Sequence, residues 1–172
     1  MSDGFSADWL ALREGFDAAA RSAALAARLA AALPARPRIL DLGAGTGSLF
    51  RWLAPRLGRA QGWVLADADP ALLARALDDI ADWAGARGYG VIDDGRSLEI
   101  HTADSIWRVA VRQMELAETL PLAGHHAVVC SALLDLVSAA WIAALAARLT
   151  VPLLACLSVD GRDAFLPRHA GD

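Results

Sequence analysis

Residues Arg38 to Leu49 read R-I-L-D-L-G-A-G-T-G-S-L, and no other stretch constrains the fold as much. Ile39, Leu40 and Leu42 make a short apolar run that ends at a glycine cluster, and a helix-like segment, Ser48 to Leu57, follows. A buried strand that runs through glycines into a helix brings backbone N–H groups to one point, which suits a nucleotide-like ligand. Gly43, Gly45 and Gly47 are spaced G-x-G-x-G and let a ligand approach the main chain closely. The dinucleotide fingerprint G-x-G-x-x-G requires glycine at position 48, where this chain has Ser48.

The rest of the chain alternates helix and strand patterns. Ala7 to Leu33 reads as one helix with a possible break at Gly15, stopped by Pro34 and Pro37. Gly62 to Ala66 is a second strand. Pro70 to Trp83 is a second crossover helix, with Asp69 as its N-cap. Tyr89 to Ile92 and Leu98 to His101, joined by Asp93-Asp94-Gly95, predict an inserted hairpin. Trp107 to Arg112, Ala127 to Ser131 and Val151 to Ser158 are further strands, with a helix over Ala139 to Leu149. This alternation predicts a single α/β domain over 1–172, with a parallel sheet and helices on both faces. Residues 1–37 form its N-terminal helical segment and 38–172 its Rossmann-like core.

A second acidic signal lies about twenty residues beyond the glycines. The second strand ends in Ala66-Asp67-Ala68-Asp69-Pro70. A carboxylate there accepts hydrogen bonds from two ribose hydroxyls, because it is acceptor-only and charged. Asp67 is therefore the ribose candidate and Asp69 the helix cap.

Composition removes several chemistries. There is no Lys and no Asn; all 16 basic residues are Arg. Schiff-base lysine chemistry and Walker-type phosphate binding are thus excluded. The net charge of −4 leaves no basic footprint for nucleic acid. Cys130 and Cys156 sit in apolar runs without disulfide or zinc spacing, and adjacent His125 and His126 share no face for a metal. No metal site is expected. The N-terminus lacks a signal-peptide pattern, and Ala127 to Val159 is broken by Asp135, Arg148 and Pro152, so no membrane span and a cytoplasmic setting are expected.

D-L-G-A-G-T-G followed by V-L-A-D-A-D-P resembles the first and second motifs of class I S-adenosylmethionine-dependent methyltransferases. The later L-L-D-L-V-S-A-A-W and S-V-D-G-R-D-A-F-L-P are similar to a bacterial subfamily with no assigned substrate. The resemblance implies a doubly wound sheet of order 3-2-1-4-5 and S-adenosyl-L-methionine as cofactor. It maps cofactor contacts onto Asp41, Gly43, Ala44, Gly45, Gly47, Asp67, Ala68, Glu115, Leu116 and Ser131, with Gln113 as a second choice for the adenine amino group. Arg13 or Arg21 could pair with the methionine carboxylate. The D-P-P-Y and N-P-P-Y signatures of amide and base N-methylation are absent. That leaves methyl transfer to a small-molecule acceptor by in-line displacement.

Candidate bases are Asp135, His101, His125, His126 and His169, and Asp135 leads them as a charge within an apolar run. The family's strands 6 and 7 are apparently missing, since Phe165 to Asp172 is too short and polar to supply them. The fifth strand then becomes an edge open to a homodimer or partner chain. Two alternatives compete with catalysis by this chain: a cofactor-binding subunit without activity, and a nicotinamide-dependent oxidoreductase.

Overall fold

The computed structural model describes residues 6–117 and 120–157. Two helices open the chain, α1 (Ala7–Ala20) and α2 (Ala23–Ala32). Then come β1 (Arg38–Leu42), α3 (Ser48–Leu57), β2 (Gln61–Asp67) and α4 (Pro70–Gly85). They are followed by β3 (Gly90–Asp93), β4 (Ser97–His101), β5 (Ile106–Gln113), β6 (Ala127–Ser131), α5 (Ala139–Arg148) and β7 (Leu153–Cys156).

The predicted single helix over Ala7 to Leu33 is two helices, and the break lies at Arg21-Ser22 rather than at Gly15. Arg21 is extended, and the Ser22 hydroxyl accepts the Leu25 N–H as the N-cap of α2. A serine that offers its oxygen to the next turn starts a new helix, whereas an exposed glycine in mid-helix costs only about 1 kcal/mol.

The seven strands among the described residues form one sheet, in the order β3-β4-β5-β2-β1-β6-β7. Strands β5, β2, β1, β6 and β7 are mutually parallel and reproduce the expected 3-2-1-4-5 order. The hairpin does not stand apart as an insertion. It extends the same sheet, with β4 antiparallel to β5 and β3 antiparallel to β4. Five strands and a separate hairpin were expected; the sheet instead has seven, and the extra pair lies beside β5. The pattern of β4 explains this, because Leu98 and Ile100 alternate inward and bury against their neighbours Val109 and Trp107. The β7 edge is the expected fifth-strand edge. Residues 158–172, on which the expectation of a missing strand pair rests, lie outside the described residues.

Helices α2, α3 and α4 share one face of the sheet, and α5 covers the other. The first face holds the larger core. Fully buried Phe50 of α3 sits there with its ring 5.2 Å from Trp63 and 6.3 Å from Trp107, in edge-on packing. Around it pack Leu53, Leu65, Leu73, Ile80 and Val109. The second face is thinner. It buries Leu40, Leu42, Val128 and Cys130 under Leu145, the only buried residue of α5, and under Leu120. Burial pushes the Cys130 thiol up to about 12, consistent with a small core hydrophobe. Among the described residues no helix is long and apolar enough to cross a membrane.

Candidate cofactor site

The chain winds from β1 to β2 on one side and later returns to β6 on the other. The C-terminal ends of β1 and β6 therefore border a topological switch point, where open α/β sheets bind ligands. The glycine run lies there. The N–H groups of Gly43 and Ala44 both donate to the Ala66 carbonyl, at 2.9 and 3.1 Å. Gly47 closes the loop with φ +78, and a Cβ on it would lie 2.9 Å from the Ile80 side chain. Only glycine fits that approach of α3 to α4. Gly47 is also the N-cap of α3 and leaves the helix without a side-chain cap.

Asp67 ends β2 and ties this loop down. One carboxylate oxygen accepts the Gly45 N–H at 2.8 Å, and the other accepts the Asp69 N–H at 3.0 Å. Each oxygen keeps acceptor capacity toward a ligand. Asp69 caps α4, as expected, by accepting from Ala71 and Leu72.

Asp41 and Arg21 sit below the loop. Asp41 is 1% exposed, and neither carboxyl oxygen has a hydrogen-bond partner among the described residues. Burial pushes its carboxyl up to about 8, against the opposing charge of Arg21 and with the Asp67 charge adding to the rise. Arg21 is 6% exposed. It donates to the Ser48 carbonyl, to the Ser48 hydroxyl at 2.8 Å and to the Ser131 hydroxyl at 3.1 Å, while its Nε has no partner among the described residues. Desolvation lowers its pKa from the usual guanidinium range. Both side chains line a cavity of about 60 Å³, together with Gly43, Ala44, Gly45 and Ser131.

A larger cavity of about 580 Å³ adjoins it, within the range of small-molecule sites. The two share Leu10, Arg13, Gly43, Gly45, Ser131 and Ala132. The larger one also reaches Asp67, Ala68, Asp69 and Leu72 at the β2 end, Glu115 and Leu116 after β5, and Leu133 and Leu136 after β6. The Trp141 indole of α5 donates to the Leu116 carbonyl at 2.8 Å and holds that wall. Gln113 turns away to the Ala68 carbonyl, at 3.3 Å.

Helix α1 closes the site from above with an unusual polarity. Leu10, Arg13 and Asp17 face the cavities, and Glu14 pairs with Arg51 at 2.9 Å. Trp9, Leu12 and Phe16 point outward, the last 78% exposed, and no residue of α1 is buried.

Nine of the ten expected cofactor contacts line these cavities; Gly47 instead shapes the helix packing behind them. The expected bases do not gather there. Asp135 is exposed on the turn before α5 and does not line either cavity. His101 lies in the hairpin, 2.9 Å from Glu99. His126 accepts the Arg38 N–H at the opposite end of β1. Burial lowers the pKa of His125, which also lines neither cavity, and His169 lies outside the described residues. No group of three His, Cys, Asp or Glu among the described residues could hold a metal. Leu10 and Leu72 carry no motif that would have singled them out, whereas Leu133 and Leu136 lie in the L-L-D-L-V stretch.

No family model matches the chain. A stretch of 54 residues, 31% of the chain, is 59% identical to the biotin biosynthesis bifunctional protein BioCD of Bordetella avium, and covers 11% of that protein. Among solved structures, one from Methanococcus maripaludis, assigned as a candidate S-adenosyl-L-methionine-dependent methyltransferase, is similar over 81% of this chain and 57% of its own. Its TM-score is 0.51 and its identity 15%. The DhpI–SAH complex is similar over 81% of this chain and 54% of its own, with TM-score 0.51 and 23% identity. The chain thus spans a little over half of each of these two structures and about a tenth of the BioCD protein, and it shares the α/β fold of the two structures.

Proposed function

We propose that the chain binds S-adenosylmethionine and transfers its methyl group to a small-molecule acceptor by in-line displacement. The observation that carries this reading is the pair of buried, incompletely partnered polar side chains, Asp41 and Arg21, facing one small cavity beside the glycine loop. An orphaned carboxyl and an unpartnered guanidinium Nε cost stability unless a ligand completes them. An α-amino acid end offers the complement, an ammonium for Asp41 and a carboxylate for Arg21. The structures that share the fold, including the DhpI–SAH complex, are in accord with this ligand.

The other residues then take roles along the larger cavity. Asp67 accepts from the ribose hydroxyls while it holds Gly45. Leu72 and Leu116 pack on the base, and Glu115 lies within the same lining. When bound, the cofactor supplies a sulfonium-activated methyl group. The chain's own task is to orient the acceptor and exclude water, which accounts for several kcal/mol of a barrier. Calorimetric titration of the full chain with S-adenosylhomocysteine tests the binding half, and methyl transfer from labelled donor to a metabolite panel tests the other.

A second reading, a cofactor-binding subunit without catalysis, is favoured by one observation: Asp135, His101, His125 and His126 all lie off the cavity. S-adenosylhomocysteine binding without turnover on any acceptor selects it.

A further inference from the structure

The larger cavity runs across the strand ends from β5 to β6, and its character changes along the way. At the β2 and β5 end stand Asp67, Asp69 and Glu115. At the β6 end stand Leu133 and Leu136, with Leu10 of α1 opposite them. Leu133 lies over the glycine loop, so close that a Cβ on Gly43 would meet it at 3.1 Å. Leu10 approaches Gly45 in the same way, at 3.3 Å. Leu136 is 58% exposed although it lines the cavity, so core packing does not account for it. Arg13 is the one cation in this lining, and it hydrogen-bonds to Asp17.

Resting on the reading above, in which the β6 end faces the acceptor, we propose that Leu10, Leu133 and Leu136 make this end selective for a molecule with an apolar body. A polar acceptor would lose its hydration against these three side chains and find no hydrogen-bonding side chain among them in return. An alkyl or aryl body would instead cover Leu136 and gain from its burial. The turn is built for this presentation. Ala132 holds φ +54 while its N–H donates to the Cys156 carbonyl, and the Leu136 N–H donates to the Leu133 carbonyl. Such strain in a non-glycine residue persists only where its surroundings fix it.

The test uses the full chain saturated with S-adenosylhomocysteine and titrated with 1-hexanol, 1-heptanol and 1-octanol, which are neutral probes differing by one methylene. Affinity should rise about fourfold per methylene. Leu136→Asp should weaken octanol at least tenfold and leave S-adenosylhomocysteine affinity intact. Leu153→Asp, an exposed leucine on the β7 edge, should change neither. The proposal is overturned by affinities that do not depend on chain length, by equal octanol affinity in Leu136→Asp, or by octanol displacing S-adenosylhomocysteine. Absence of S-adenosylhomocysteine binding would overturn the cofactor reading as well. Binding of it with no alkanol response overturns this inference alone.

Discussion

The two ends of the large cavity are built by different means. At the β1–β2 end almost every position is set by backbone geometry: three glycines, a carboxylate bridging two N–H groups, and a capped helix. At the β6 end the lining is side-chain surface on one turn, with Leu136 largely in water. The first arrangement tolerates little change and suits a ligand that does not vary. The second can be altered one side chain at a time without disturbing the sheet, which suits a surface that sets acceptor choice.

The largest break in this contrast is Asp67→Ala. It removes the ribose acceptor and frees the Gly45 N–H together, so S-adenosylhomocysteine affinity should fall about 100-fold or more, given ~1.5–3 kcal/mol for each hydrogen bond to a charged group. Titration calorimetry reads this directly, and a change below threefold would remove Asp67 from the site. Gly47→Ala comes next. Its Cβ meets Ile80 at 2.9 Å in a left-handed conformation, so stability should drop by about 2–3 kcal/mol in urea unfolding.

Asp41→Asn tests the buried charge. A carboxyl raised to about 8 binds a proton in the folded chain that the unfolded chain gives up near pH 4, so stability is lost as pH rises from 4 through 8. The asparagine variant should escape that loss, and its melting temperature should gain on the native chain's as pH climbs from 5 to 8. Parallel melting curves would contradict the assignment. The smallest effect belongs to Leu136→Asp, which should alter stability by no more than about 0.5 kcal/mol, because that side chain is mostly solvated.

The same contrast explains what could be read from the sequence. The glycine end was legible because strand, turn and cap each demand particular residue types: Asp69 caps α4, Gly47 alone fits against Ile80, and Asp67 stands at the strand end. The alternation gave the parallel sheet, and its five-strand order followed from the resemblance of the two motifs. The break at Ser22 was hidden, since alanine-rich helix continues on both sides and only the hydroxyl's bond to Leu25 marks it. The hairpin's place in the sheet was equally hidden, because it depends on Leu98 and Ile100 burying against Val109 and Trp107, which the turn residues do not specify. The leucine end was legible only as a stretch, L-L-D-L-V, and not residue by residue. An apolar run such as Ser131 to Val137 looks the same whether it fills a core or lines a cavity, and Asp135 drew notice as a charge although it faces water.

The central claim is that Asp41 waits, protonated and without a hydrogen-bond partner, for the ammonium of an amino acid end. Titration with S-adenosylhomocysteine at pH 7 in two buffers of different ionisation enthalpy measures it directly. The account predicts one-to-one binding with release of a proton as Asp41 ionises, and affinity that falls about tenfold per pH unit below 8. Absence of binding, or binding with no proton released and no dependence on pH, would contradict it.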